Sequence, residues 1–254
     1  MKIMSFNVRC AEFTPERIDL VIKTVKKYSP DSVGFQEATD AWMEVLSSRL
    51  ADEYNFVGCG RNADRTGEAS PIFYRKSRFE ILEESTLWMC DTPDVPGSKV
   101  ESSTLPRIFT YALIKDRKNG KQFVHINTHL EHRSEEARVA QIKVLLNYMK
   151  RFENENIPCV LTGDFNARTG SECYAKIMSH GLSSCSEIAK SSKDGATFHG
   201  YGTTAIIIDF IFLRASVASV SEYKVCDDTF INPDGSIAYP SDHYPIISDI
   251  EFLK

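Results

Sequence analysis

The chain contains 254 residues, of which 42% are hydrophobic and 26% are charged, and it carries a formal net charge of −5. This composition is typical of a globular protein, and the length allows a large hydrophobic core. The acidic balance argues against general affinity for nucleic acid, because proteins that neutralise many phosphates usually present a basic face.

The first fifty residues predict alternating strands and helices. Residues 2–8 and Ser32–Gln36 are short apolar runs that are typical of buried strands. Between them, Pro15–Tyr28 has apolar residues at helical spacing and is followed by a Ser-Pro pair, which favours a helix that ends there. A second amphipathic helix is predicted around residues 42–50.

The rest of the chain is rich in predicted strands. They are residues 55–58, 71–75, Phe79–Trp88, 108–115, 122–128, 158–162, 205–213, 217–225 and 244–252. Asn119-Gly120 indicates a hairpin, Ser134 is placed to cap a long helix, and Glu172–Ser179 predicts a short one. Apolar strands in this number must pack as two sheets face to face, with helices outside. Because no low-complexity linker interrupts the pattern, we expect one domain over residues 1–254.

Polar residues follow or precede many of these strands. They are Asn7, Glu37, His129, Asp164 with Asn166, and Asp242 with His243. Taken singly, an Asp or Asn at a strand end is usually a turn former. Together they indicate side chains that converge at one edge of a scaffold. Carboxylates and amides are ligands that hard divalent metals prefer, and a histidine beside a carboxylate suits acid–base catalysis.

Seven motifs, in this order, make the chain resemble the endonuclease/exonuclease/phosphatase superfamily. They are SFNV at 5–8, GFQE at 34–37, SPIFYR at 70–75, INTHLEH at 126–132, LTGDFNA at 161–167, IDFIF at 208–212 and SDHYPI at 241–246. GDFN and SDHxP are the specific signals among them. The nearest likeness is to bacterial members that share a segment similar to MCDTPDVPGSK and a Leu105-Pro106-Arg107 junction.

The resemblance implies a four-layer α/β/β/α sandwich, in which two packed, mostly antiparallel sheets are flanked by helices. It also implies a divalent metal, Mg²⁺ or Mn²⁺, whose principal carboxylate ligand would be Glu37, helped by Asn7 and Asp242.

The resemblance implies roles for the remaining motif residues as well. His243 would act as the base or bind the attacked phosphate, with Asp209 as its orienting partner. The other expected site residues are Asp164 and Asn166, which would position water and phosphate, His129 as a second histidine, and Glu68 as the carboxylate paired to it.

Two further residues have competing interpretations. Arg107 follows a proline and opens a strand, and we favour a phosphate contact over a surface charge because the guanidinium fork matches phosphate geometry. Tyr74 is compatible with either a core aromatic or a supporting site residue.

These observations predict a metal-dependent phosphoesterase that hydrolyses a phosphodiester or phosphomonoester by in-line attack of water, because no serine or cysteine nucleophile motif is present. The expected substrate is a phosphorylated small molecule or a short single strand of nucleic acid, since segments 89–106 and 197–204 carry few lysines or arginines. The alternatives are a nuclease that cleaves duplexes and a non-catalytic binding protein on the same fold.

Seven cysteines without a C-x-x-C pair argue against a disulfide framework or a structural zinc site. The sequence shows no secretory signal at residue 1 and no run of 18 apolar residues. We therefore expect free thiols, a cytoplasmic location and no membrane span, and we see no sign of an obligate protein partner.

Overall fold

The computed structural model of the protein describes residues 1–253, in which fifteen strands are paired. The strands are β1 Lys2–Asn7, β2 Ser32–Gln36, β3 Tyr54–Val57, β4 Ile72–Arg75, β5 Phe79–Trp88, β6 Ile108–Asp116, β7 Gln122–His129, β8 Cys159–Asp164, β9 Ser183–Ser184, β10 Ser191–Lys193, β11 Asp209–Leu213, β12 Ala218–Val225, β13 Phe230–Ile231, β14 Ile237–Ala238 and β15 Ile246–Phe252. One sheet has the order β10-β12-β15-β1-β2-β4-β3 and the other β5-β6-β7-β8-β11-β9, while β13 and β14 form a separate hairpin.

Five α-helices accompany the strands: α1 Pro15–Tyr28, α2 Asp40–Arg49, α3 Glu135–Asn154, α4 Glu172–Ser179 and α5 Cys185–Ile188. The predicted bounds of α1 are confirmed, and the short helix predicted near Glu172–Ser179 is present as α4. Thr14 and Ser171 cap these helices by accepting hydrogen bonds from their first turns. Within residues 1–253, no helix combines the length and the apolar character needed to cross a bilayer. All seven cysteines are free thiols.

The two large sheets pack face to face, and the helices cover their outer faces. Ile3 and Val160 lie in the core between the sheets. On the outer face of the first sheet, Phe6 packs in one cluster with residues of α1 and α2. On that of the second, Leu161 packs with α3 and α4. The architecture is therefore the expected four-layer sandwich, with mixed sheets in which most strand pairs are antiparallel.

The face between the sheets becomes polar towards one end. Side chains alternate along a strand, so β1 directs Ile3, Ser5 and Asn7 to the same face. The polar layer begins with buried amides that join the two sheets: Gln36 Nε2 donates to Asn127 Oδ1 at 2.7 Å, and Asn127 Nδ2 donates to the Phe35 carbonyl at 2.7 Å. These hydrogen bonds fix the position of one sheet relative to the other just beneath the strand ends.

Gly34 is required by this network. A Cβ atom at Gly34 would lie 2.4 Å from Asn127 Oδ1 and 2.5 Å from Thr162 Oγ1. Both atoms belong to the opposite sheet, so any side chain at this position would push the sheets apart.

One predicted strand is shorter than expected. The apolar run 205–213 predicts a strand throughout, but β11 begins only at Asp209, and Ile206 instead bridges to Phe198 in the preceding loop. The short elements β9, β10, α5 and the β13–β14 hairpin were not predicted, because each is only two to four residues long and carries no periodic pattern.

His125 generates a prediction about stability. Its ring is fully buried between Ser32 Oγ, 2.8 Å from Nδ1, and Thr162 Oγ1, 2.9 Å from Nε2, and burial lowers the pKa of His125 to about 3. In the unfolded chain the pKa of this histidine is near 6.5. Below that pH the unfolded state binds a proton that the folded state excludes, so the free energy of unfolding falls as the pH falls from 6.5 towards 3.

We predict that, between about pH 7.5 and pH 5, the free energy of unfolding decreases by on the order of 2 kcal/mol more in the wild type than in His125→Gln. Urea unfolding at the two pH values measures the difference. Equal losses in both proteins would show that His125 takes up its proton in the folded state.

Candidate active site

Six strand ends meet at the polar edge of the sandwich. In the first sheet, Asn7 ends β1, Glu37 follows β2, and Asp242 and His243 precede β15, which runs antiparallel to β1. In the second sheet, His129 ends β7, Asp164 ends β8, and Asp209 begins β11 opposite Asp164. The structure therefore brings together the carboxylates and histidines that the motifs singled out.

Asp164 lies at the centre of this cluster and is 2% exposed. Its carboxylate accepts hydrogen bonds from Asn7 Nδ2 and from the Asn166 backbone N–H, both at 2.9 Å. Its Oδ2 lies 3.6 Å from His129 Nε2 and 3.7 Å from His243 Nε2. Burial and the charge of Asp209 raise the pKa of Asp164, so this carboxylate is more basic than an exposed aspartate.

His243 and Asp209 form a buried pair, with Nδ1 and Oδ2 2.9 Å apart. Burial alone would lower the pKa of His243, but the carboxylates of Asp209, Asp164 and Asp242 raise it to about 10. Because Nδ1 is occupied by Asp209, Nε2 is the atom that faces the cleft.

A short loop segment supports this pair. Thr197 Oγ1 accepts the backbone N–H groups of Ile208 and Asp209, both at 3.1 Å, and its carbonyl accepts the Tyr244 N–H at 2.7 Å. The ring of Phe198 lies 4.8 Å from that of His243. The segment thus fixes the backbone on both sides of the pair.

Glu37 and Asn166 both adopt left-handed backbone conformations, with φ of 57° and 48°. This conformation is costly for a glutamate, and residues held in it concentrate at functional sites. The Glu37 carboxylate accepts the Cys10 backbone N–H at 2.8 Å and Asn7 Nδ2 at 3.0 Å. Burial opposes its charge, but the adjacent His129 and these N–H donors lower the pKa of Glu37 to about 2, so the carboxylate stays ionised.

The donor set fits a divalent cation. The ligand atoms of Glu37, His129 and Asp164 lie within 4.8 Å of one another, and so do those of Asp164, Asp209 and His243. Buried carboxylates this close repel one another, and a bound cation would offset that repulsion.

Asp242 was expected to share a metal with Glu37, but in the structure it forms an ion pair with Arg9. Its other oxygen, Oδ1, accepts from Ser241 Oγ at 3.3 Å. Asn7, the third expected ligand, directs its amide nitrogen towards Glu37 and Asp164 and its oxygen towards the Arg9 backbone N–H. The complete ligand set of the metal therefore stays a prediction.

His129 is paired differently from the expectation. Its Nε2 accepts from Asn166 Nδ2 at 3.0 Å, and burial together with the charge of Arg107 lowers the pKa of His129, while the charge of Glu37 acts in the opposite direction. Glu68 was expected to be its carboxylate partner, but both oxygens of Glu68 bind Arg61, at 2.8 Å each. That prediction is wrong, because an arginine only seven residues away matches the carboxylate with two parallel hydrogen bonds.

Tyr74 lies outside the site. It pairs with Ser32, at the start of β2, whereas Glu37 follows the end of that strand. Because β4 runs antiparallel to β2, each step from Ile72 to Tyr74 leads away from the site. The tyrosine packs against the core between the sheets, so the core interpretation holds.

Three charged residues at the site were not singled out from the sequence: Arg9, Arg61 and Glu131. Glu131 is fully buried and binds Ser103 and Thr104, with backbone N–H groups of the following residues, and it lies 3.9 Å from Arg107. Burial opposes its charge, but these donors lower the pKa of Glu131 to about 2. The sequence feature that could have identified Glu131 is its position between the two histidines of the INTHLEH motif. Arg9 and Arg61 lie in loops, where no periodicity marks them.

A two-sheet sandwich with a buried carboxylate–histidine cluster at the strand ends defines a hydrolase of phosphoester bonds. The model of the Endonuclease/Exonuclease/phosphatase family matches residues 4–243, and the chain belongs to that family. Members are hydrolases that depend on divalent metal ions, which agrees with the donor set described above.

Individual relatives cover nearly the whole chain. A mannosyl-6-phosphatase from Bacteroides thetaiotaomicron VPI-5482 is 30% identical, over 99% of this chain and 100% of that chain, with a TM-score of 0.93. A family protein from Bacteroides vulgatus is also 30% identical, over 99% and 98% of the two chains, with a TM-score of 0.88. Nocturnin from Rattus norvegicus is 26% identical over 93% of this chain, and the match spans only 58% of the Nocturnin length.

We predict that Glu37→Gln weakens Mn²⁺ binding by at least about 10-fold, because the substitution removes the anionic ligand and keeps the shape of the side chain. Isothermal titration calorimetry with Mn²⁺ measures the change. Glu44→Gln, on the exposed face of α2, is the matched control. Unchanged affinity in Glu37→Gln would place the metal elsewhere.

Proposed function

We propose that the protein removes the phosphate group of a phosphorylated small molecule by direct attack of water, and that sugar phosphates are the first class to test. The observation that carries the proposal is the buried Asp164 carboxylate, flanked by two histidines and next to Glu37. The name of the Bacteroides thetaiotaomicron relative, which aligns over the full length of both chains, supports a sugar phosphate as the substrate.

Glu37, with Asp164 beside it, would hold Mg²⁺ or Mn²⁺, which when bound neutralises phosphate oxygens and the developing charge on the leaving oxygen. Asp164 and Asn166 would orient the attacking water. The Asp164 carboxylate would accept the proton of this water, since its Oδ1 is held by the Asn166 N–H and burial raises its pKa.

His243 would bind the attacked phosphate through Nε2. Asp209 accepts from Nδ1, which fixes the ring orientation and keeps the imidazole charged. A charged donor 3.7 Å from the Asp164 carboxylate, already held in place before substrate arrives, stabilises negative charge that develops on a phosphate oxygen.

Two other substrate classes remain as outcomes of the test. Cleavage of short single strands by a nuclease uses related chemistry. The similarity to Nocturnin and to a Yarrowia lipolytica subunit described as a 3'-5'-exoribonuclease supports this alternative. A duplex nuclease is disfavoured by the net charge of −5. A non-catalytic binding protein is disfavoured because the carboxylates and histidines of the cluster are all present.

We predict that His243→Ala lowers kcat by on the order of 10²–10³, the range for loss of one preorganised donor to developing negative charge. Asp209→Asn should lower kcat less and shift the pH–rate profile to lower pH, because the loss of its carboxylate lowers the pKa of His243. Steady-state kinetics across pH, with thermal melting as a check on folding, measure both. Wild-type rates in His243→Ala would refute the assigned role.

The substrate assignment is tested with a panel of sugar phosphates, inositol phosphates, short single strands and plasmid duplex, with Mg²⁺ and with Mn²⁺, at low and high salt. We predict phosphate release from sugar phosphates that is abolished by chelator and depends weakly on salt, since one phosphate is captured locally. Efficient nicking of duplex that falls steeply with salt would instead identify an endonuclease.

A further inference from the structure

A small pocket adjoins the Glu37 carboxylate on the side of His129. Its charged and polar walls are Glu37, Arg61, Glu68, Ser70, Arg107 and His129. The pocket opens to solvent, and its inner part has room for about one water-sized group. It can therefore receive one oxygen atom of a substrate.

Arg61 is held firmly at this pocket. Its Nη1 and Nη2 donate to the two oxygens of Glu68, at 2.8 Å each, and its carbonyl accepts the Trp88 indole N–H at 2.7 Å. Only 12% of its side chain is exposed. Glu68 uses one N–H of each terminal nitrogen, so the guanidinium keeps further donors for another acceptor.

Arg107 faces the same pocket with an incomplete set of partners. Its side chain is 4% exposed, Nη2 contacts His132 Nδ1 at 3.1 Å, and Nε lies 3.9 Å from Glu131 Oε2, beyond hydrogen-bond distance. Among the described residues, 1–253, no group accepts from this buried Nε. A buried guanidinium with so few partners is costly, and an anion in the pocket would offset its charge.

Phosphomonoesters and phosphodiesters differ in the number of oxygens that they can offer to these two arginines. A phosphomonoester dianion has three non-bridging oxygens, whereas a phosphodiester has two and carries a second organic substituent in place of the third. We propose that Arg61, together with Arg107, binds the third oxygen of a terminal phosphate and makes the site specific for phosphomonoesters. Glu68 is then a positioning residue for Arg61.

This inference rests on the proposed function, because it names the ester class and the residues that select it. A diester has no third non-bridging oxygen to offer to the pocket, so it would leave the guanidinium groups of Arg61 and Arg107 without this anionic partner. The discrimination against a diester is therefore a loss of charge-assisted hydrogen bonds.

The test compares Arg61→Gln with wild type on p-nitrophenyl phosphate and bis(p-nitrophenyl) phosphate, with Mg²⁺ present. Arg61→Gln should lower kcat/KM for the monoester by about 100-fold, the loss expected for charge-assisted hydrogen bonds. It should leave kcat/KM for the diester within about 3-fold, since the diester does not use this contact. Arg65→Gln is the matched control, because Arg65 is an exposed arginine of the same loop that lies over the Trp88 ring.

Inorganic phosphate provides a readout that does not require turnover. Its affinity, measured by calorimetry in the presence of Mg²⁺, should fall by about 10-fold or more in Arg61→Gln and stay unchanged in Arg65→Gln. Arg61→Lys, which keeps the charge and loses the fork, should be intermediate, and it replaces Arg61→Gln if that variant does not fold.

Equal losses on both esters, or no loss of phosphate affinity, would overturn the inference. Failure of the proposed function is a separate result, since it would appear as a wild type that does not hydrolyse monoesters at all. In that case the phosphate affinities of the two variants still decide whether Arg61 binds phosphate.

Discussion

The buried carboxylate of Asp164 is the feature on which the rest of the site depends. Removing a carboxylate from water costs several kcal/mol unless charged partners and hydrogen bonds replace the lost solvent. Asn7, Asn166 and His243 supply those contacts, and they come from separate parts of the chain. The ends of both sheets must therefore meet for this group to be tolerated. The same arrangement leaves a partly compensated cluster of negative charge, which is suited to binding a cation.

The two sheets contribute to the cluster in similar ways. In each, a helical crossover joins two parallel strands, β1–α1–β2 and β7–α3–β8, so that both strands end at the same edge. An antiparallel neighbour, β15 or β11, then starts at that edge. Buried amides beneath the edge tie the sheets together through Gln36 and Asn127, which fixes the distance across the cleft. The precision of the site thus comes from the rigid sheets more than from the loops.

The charge around the site differs from the charge of the whole chain. The net charge is −5, yet Arg9, Arg61 and Arg107 all lie at the carboxylate cluster. Each is close to an acidic residue, so none produces an extended basic surface. Such an arrangement favours capture of one phosphate group over attraction of a long polyanion, because steering of a polyanion needs a continuous basic field.

The sequence alone determined the strand and helix pattern and the residues at the strand ends. Helix α1 was predicted to the residue and helix α4 near its observed position, because capping and periodicity are local properties. Asn7, Glu37 and Asp164 were identified because each is a polar residue at the end of an apolar strand. The alternation of side chains and the direction of a strand are also local properties of the sequence. Only the tertiary structure decided that Glu68 binds Arg61, that Asp242 binds Arg9 and that Tyr74 lies away from the cleft. These outcomes depend on loop conformation and on the register between strands, which are set by contacts between distant segments and leave no pattern in any one of them.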